Sequence, residues 1–236
     1  MAQLDRPRLL AKLARLVATE TVDRPLEVRL CLAFLSILGG EGAALTLAYN
    51  QPERVTLCTT DDTAARLEDL QEVLGEGPGQ AAYSSGELTV VDLRESTQRW
   101  PLFAEAARQA VGPVLLYAVP LRPTHDVLGV LTVHRQGGPL PEPEEATFLG
   151  DAIGAALLRE PIGQDPNFAA GPWSTRAVIH QATGMVTAQL RISPADALAL
   201  LRAHAYTHEV TLAEVADEIV QRRLNFSTDD DGESEI

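Results

Sequence analysis

His204 and His208 stand four residues apart, a spacing that lets two imidazoles on one helix face share a metal ion. A zinc-protease helix needs Glu directly after the first His, and Ala205 occupies that position. With no third ligand evident, the pair predicts no metal site. Gly75, Gly77 and Gly79 alternate within residues 74–88. A phosphate loop needs Lys-Ser/Thr after its glycines, and a dinucleotide fingerprint needs GxGxxG behind a strand. Neither pattern is present, and Glu76 would set a negative charge against a phosphate. No Ser/His/Asp set or carboxylate pair is anchored by a motif, so no catalytic residue and no enzyme is predicted. Asp61, Asp62, Glu68 and Asp69 read as a solvated face, and His125 and His134 as turn or surface residues. Cys31 and Cys58 lie in separate stretches without a CxxC spacing and read as isolated thiols of a reducing compartment.

The remaining chemistry is cationic. The 236-residue chain carries 19 Lys+Arg against 33 Asp+Glu, a formal net charge of −14. Such a balance disfavours nucleic acid and anionic membrane at long range. The charge is unevenly spread. Residues 1–172 hold 14 bases and 23 acids, residues 173–226 five of each, and residues 227–236 five acids and no base. All five bases of the neutral stretch are Arg (Arg176, Arg191, Arg202, Arg222 and Arg223), whose planar fork suits phosphates and base edges. The chain has a single Lys, so a compositional bias toward Arg explains the same observation.

The elements that must position these residues follow from periodicity. Residues 160–173 contain three prolines and two glycines, which break helix and strand and mark a domain boundary. Before it, helical patterns span Arg8–Thr19, Leu26–Leu38 and about 63–74, 101–110 and 143–159. Strand patterns span Ala43–Tyr49, Val55–Thr59, Thr89–Asp92, Leu115–Leu121 and Val127–His134, the last two joined as a hairpin around His125-Asp126. This predicts an α+β fold, a mostly antiparallel sheet flanked by helices. After the boundary three short helices are predicted. The first starts at Ser174 and runs to Leu190, with Val178, Ala182, Met185 and Gln189 as its inner stripe and Ile179, Val186 and Leu190 at its edge. The second starts at the cap Ser193 with Pro194 in first position. The third starts at Thr211 with Glu214 completing a capping box, and Leu212, Val215, Ala216, Ile219 and Val220 form its apolar face. The domains are then 1–160, a linker at 161–172, a helical module at 173–226 and an acidic tail at 227–236. No secretory signal and no membrane-length apolar run is visible, which predicts a cytoplasmic protein.

Two short helices on a tight turn raise a helix-turn-helix DNA reader as one alternative. Its recognition helix would present Glu214, Asp217 and Glu218 to a polyanion, which argues against it.

Two resemblances sharpen the prediction. The order of "LGEGPGQAAYSSGELTVVDL", "RWPLFAEAARQAVGPVLLYAVPLR" and "LGVLTVHR" resembles a GAF domain of actinobacterial type over about residues 25–160. That resemblance implies a small-molecule sensor and dimerisation module, with the effector unassigned. The NKxxF-type signature of cyclic-nucleotide binders is missing, no bilin or haem site is supported, and no cofactor is assigned. "RAVIHQATGMVTAQLRISPADALALLRAHAYTHEVTLAEVADEIVQ" resembles an ANTAR domain, the RNA-binding module of transcription antitermination regulators. The resemblance implies a two-hairpin leader RNA as partner, its loop bases readable as paired RNA is not. It also implies a homodimer, to suit paired hairpins. Arg202, beside core Leu201, is the first candidate for an RNA contact. Gln181, Thr183, Gly184, Arg191 and Tyr206 follow. Thr183 stands where many members have Lys, and Tyr206 either stacks on a loop base or covers the core. Gly184, mid-helix, costs roughly 1 kcal/mol relative to Ala and implies close approach of a packed helix or a backbone. A signalling or dimerisation protein without RNA binding is the other alternative, and a GAF-fold enzyme a weaker one.

Overall fold

The computed structural model describes residues 4–20, 24–48, 54–95, 98–138, 142–159 and 172–226. The linker predicted at 161–172 lies almost wholly, and the tail at 227–236 entirely, outside them. The chain divides into two compact units, Met1–Pro172 and Trp173–Ile236.

In the first unit Asp5 accepts the Arg8 amide at 3.1 Å and Pro7 sits in the first turn, so α1 (Arg6–Thr19) starts two residues before the expected Arg8. It is followed by α2 (Leu26–Leu38), β1 (Gly42–Leu47), β2 (Val55–Thr59), α3 (Asp62–Leu74), α4 (Pro78–Ser85), β3 (Thr89–Asp92), α5 (Pro101–Val111), β4 (Leu115–Leu121), β5 (Gly129–Arg135) and α6 (Pro143–Arg159). The strands form one sheet in the order β2-β1-β5-β4-β3, every neighbour antiparallel, so the α+β expectation holds. The β4–β5 hairpin forms as expected, closing at Leu121 opposite Gly129. Alternation divides the sheet's faces. Leu115, Tyr117, Val119 and Leu121 of β4 join Leu131 and Val133 of β5 in a core with α1, α2 and α6. Leu116 turns to the other face, into a second core with α3 and α5. Gly150 lets α6 approach closely, because a Cβ there would lie 2.8 Å from Val119 and 2.9 Å from the Pro120 carbonyl.

The glycine segment holds an element that the sequence pattern did not show. Helix α4 begins at Pro78, with Gly77 at φ +147° as its cap, and ends on Gly86 in the left-handed region. Gln71 accepts the Gly79 amide at 2.8 Å, satisfying a donor of the first turn. Glu76 accepts the Phe103 amide at 2.9 Å and so caps α5.

Three further expectations are corrected in this unit. Glu68 is not solvated. It is buried and accepts from Arg54 (2.5 Å), Thr46 (3.0 Å), Thr132 (2.7 Å) and Gln71 (3.0 Å). The helical face that carries it packs on inward-pointing threonines of β1 and β5, and Arg54 precedes β2. Asp69 is half-buried, and desolvation with Glu72 beside it pushes its carboxyl up to about 6. His134 is not at the surface. It is 4% exposed, with Nε2 2.9 Å from Asp61. Gly42, its strand partner, makes room, since a Cβ there would collide with both side chains. Asp61 also caps α3 through the Ala64 amide at 2.7 Å. Finally, Cys31 and Cys58 are not isolated: their free thiols lie 3.6 Å apart.

The second unit holds α7 (Pro172–Leu190), α8 (Pro194–His208) and α9 (Leu212–Val220). Helix α7 starts two residues before Ser174, its first position filled by Pro172. Its buried line is Ile179, Ala182 and Val186, while Val178, Met185 and Gln189 are only half-buried. The inner stripe is therefore rotated toward what the periodicity gave as its edge. In α8 and α9, Ala197, Leu198, Leu201, Ala205, Leu212, Val215, Ala216 and Ile219 are buried. Leu201, Leu212, Val215 and Ala216 are thus core, as expected.

Candidate nucleic-acid interface

The helical unit positions its side chains through its caps. Ser193 accepts the Asp196 amide at 3.1 Å, opening α8 at Pro194. At α9, Thr211 Oγ1 accepts the Glu214 amide at 3.2 Å, and Glu214 accepts the Thr211 amide at 2.8 Å. The Thr211 amide, and its hydroxyl at 3.0 Å, both donate to the Glu214 carboxylate and hold that carboxyl below its ordinary range. With both starts fixed, α8 presents a defined outer face.

Arg202 is half-buried and Tyr206 is 52% exposed. One helical turn separates them, so they share a face, and Ala199 and Ala203 are exposed beside them. Two of the three guanidinium nitrogens of Arg202, Nε and Nη2, are buried, so the cation reaches this face by its remaining edge, and the open phenol ring of Tyr206 can stack a base. On α7, Gln181 and Gly184 are both exposed and one turn apart. Nothing lies within 4 Å of a Cβ built on Gly184, so neither of the other helices of this unit packs against it. Ala177 and Ala188 extend the same exposed line, at helical spacing from Gln181 and Gly184. Those two alanines carry no chemistry of their own in the sequence, and their i, i+4, i+7, i+11 spacing with Gln181 and Gly184 is the one signal that marks them.

Thr183 falls outside this group. Two residues from Gln181, it points to the other side of α7, is half-buried, and donates its hydroxyl to the Ile179 carbonyl at 2.7 Å. Arg191 follows the last residue of α7 and is exposed with φ 55°. That left-handed position is where a helix ordinarily ends on Gly or Asn, and an arginine there keeps a cation at the negative end of the helix. Arg222 has φ 60° and, like Arg223, is exposed just past α9. Neither was singled out for its backbone, because nothing in an arginine's identity signals positive φ.

His204 and His208 stack at 4.0 Å between ring centroids, and His208 Nδ1–H donates to the His204 carbonyl at 2.9 Å. Burial, then the neighbouring His208, lowers the His204 pKa. Among the described residues no three potential metal ligands come together. On α9, Glu214 and Glu218 are exposed, while Asp217 accepts from Gln221 at 2.5 Å and Arg223 at 3.2 Å. The acidic outer face expected for this helix is present.

Residues 173–220 match the ANTAR domain. The match takes in α7, α8 and α9 apart from Pro172, and with it both candidate pairs, Arg202/Tyr206 and Gln181/Gly184. The matched segment lies within the helical unit, and the first unit adds an α+β sheet domain to it. Among solved structures, the chain is similar to the A. aeolicus nlh2 GAF domain in an inactive state, at 14% identity and TM-score 0.47, covering 66% of this chain and 97% of that one. It is also similar to an RNA-binding light-oxygen-voltage receptor, at 20% identity and TM-score 0.23, covering 78% of this chain and 48% of that one. No curated protein matches the chain. Among the described residues, no helix is long and apolar enough to cross a membrane.

Proposed function

We propose that this protein is an RNA-binding transcription antiterminator of actinobacterial type, in which a GAF sensor unit controls the ANTAR module. The observation that carries the proposal is the ANTAR match over 173–220. The outer faces of α7 and α8 support it, because Gln181 and Tyr206 are exposed on them and Arg202 lies one turn from Tyr206. The partner is a two-hairpin leader RNA, whose bound form excludes an overlapping terminator hairpin. A cytoplasmic homodimer supplies one module per hairpin, and a small-molecule effector in the sensor unit gates access. The whole module, residues 173–226, is charge-neutral, so affinity rests on placed contacts more than on long-range attraction.

Arg202 is the central contact, with Tyr206 stacking one turn away and Gln181, Gly184 and Arg191 beside the strand. Thr183 contributes least, since its hydroxyl is already bonded to its own helix. Arg202→Ala is expected to weaken leader-RNA binding by about 1–3 kcal/mol, roughly 5- to 150-fold, without changing the fold. RNA crosslinked in cells and sequenced supplies the target, and a gel-shift titration reads the affinity. Unchanged affinity removes Arg202 from the interface. Intact dimers with no crosslinked RNA overturn the RNA reading and leave a dimerisation protein.

A further inference from the structure

We propose that Cys31 and Cys58 form a reversible oxidation site, a dithiol that a hydroperoxide converts to an intramolecular disulfide. Their sulfurs lie 3.6 Å apart. A disulfide needs about 2.05 Å, so closure takes a shift of about 1.5 Å, the scale of a side-chain rotation. The two thiols differ in access. Cys31 is fully buried in α2, whereas Cys58 is half-buried on β2, an edge strand. The hydrogen bond to Cys58, together with burial, holds the Cys31 thiol well above its ordinary range and keeps it protonated. A thiol without thiolate character is a poor target for a dissolved oxidant, so Cys58 reacts first.

The chemistry balances without further reagents. Cys58 sulfur attacks the outer oxygen of the hydroperoxide, an S–O bond forms and the O–O bond breaks. The thiol proton leaves with the alkoxide as an alcohol (water, when the oxidant is hydrogen peroxide), and Cys58 becomes a sulfenic acid. Cys31 sulfur then attacks Cys58 sulfur, the S–S bond forms and the S–O bond breaks. The hydroxide takes the Cys31 proton and leaves as water. Two thiols and one hydroperoxide give one disulfide, one alcohol and one water. An external dithiol reverses the reaction by exchange.

The strand that moves has slack. The β1–β2 ladder shifts register between Leu45 and Thr46, placing Cys58 opposite Leu45 and Thr56 opposite Thr46, so Leu57 is the extra residue of a bulge. Beyond the bulge, the Thr46 and Thr56 hydroxyls lie 3.0 Å apart, and Thr46 donates to Glu68 at 3.0 Å. Oxidation therefore pulls on the strand next to the buried carboxylate.

The test uses the full chain, reduced, exposed to hydrogen peroxide, then alkylated with N-ethylmaleimide under denaturing conditions. The expected result is a loss of two hydrogens in mass, no maleimide added, one Cys31–Cys58 cross-linked peptide, and return of both thiols with dithiothreitol. Two maleimides after peroxide, oxygen added to Cys58 with Cys31 still alkylated, or a bridge between two chains would each overturn the proposal. Cys31→Ala is expected to halt Cys58 at the sulfenic acid, captured by dimedone. Failure to capture it in a variant with wild-type circular dichroism overturns the order of attack. As Cys31 is buried and its loss can unfold the chain, Cys58→Ser provides a second arm. There Cys31 is expected to stay fully alkylatable after peroxide, and its oxidation at the wild-type rate counts against the assignment.

Discussion

Arg54 and Glu68 in the sheet unit are 2% and 3% exposed in their side chains, and they meet at 2.5 Å inside a net of threonines and Gln71. In the helical unit, by contrast, Asp196, Glu209, Glu214 and Glu218 are exposed and Asp217 is half-exposed. Both units contain carboxylates on amphipathic helices, yet only one folds a carboxylate inward. The difference lies in what faces the helix. Helix α3 meets a sheet whose inward positions include Thr46 and Thr132, so a buried charge finds donors there. The buried positions of α8 and α9 are apolar, and the acids of that unit serve as caps and outer-face groups.

Stability measurements can break or sharpen this contrast. The largest effect is expected for Arg54→Met, which leaves Glu68 charged, buried and short of its main partner. A loss of about 3–5 kcal/mol in urea unfolding is expected, with much of it recovered in the Arg54→Met, Glu68→Leu double variant. A single variant as stable as the parent would show that the buried net is dispensable. Thr211→Ala should cost about 1 kcal/mol, confined to the helical unit, because it removes one cap bond. Hydrogen exchange checks this: α9 amides should exchange faster while those of β4 and β5 stay protected. Equal acceleration in both units would contradict it. Asp69→Asn should give the smallest effect, a gain of less than about 1 kcal/mol once partial exposure is allowed for. The sign follows from the raised carboxyl. Between about 4 and 6 the folded chain holds this proton more tightly than the unfolded one, so stability falls as pH rises through that window. Asn abolishes that loss, so the gain should appear above pH about 6 and vanish below about 4 in thermal melts at stepped pH.

Local signals carried the elements well. Helices α2 and α6 and strands β2, β3 and β4 fall on the residues that periodicity and turn chemistry indicate. Helix α4 was hidden because its Gly-Pro-Gly start reads as a breaker, and its stabilising acceptor, Gln71, comes from another helix. Glu68 and Asp69 read as surface because a helix pattern shows which positions share a face, not what that face meets. His134 and Cys58 became buried or paired through strand neighbours and α2, partners distant in sequence. In the candidate interface, the mid-helix glycine was legible as a conformational cost, and the open space beside it was not. The left-handed backbone at Arg191 and Arg222 left no trace in residue type.

The central β1–β5 pairing has a consequence for the order in which the chain matures. β1 is held on one side by β2, close in sequence, and on the other by β5, so Gly42 must await His134. During synthesis, a ribosome has to deliver α3, α4, β3, α5 and β4 before the middle of the sheet can close. The early helices and the β1–β2 pair therefore wait with apolar surface uncovered, the situation in which nascent chains engage chaperones. Helices α8 and α9, joined by a short turn, face no such delay. Of the two units, the one translated earlier is expected to be the slower to fold, and the later one the faster.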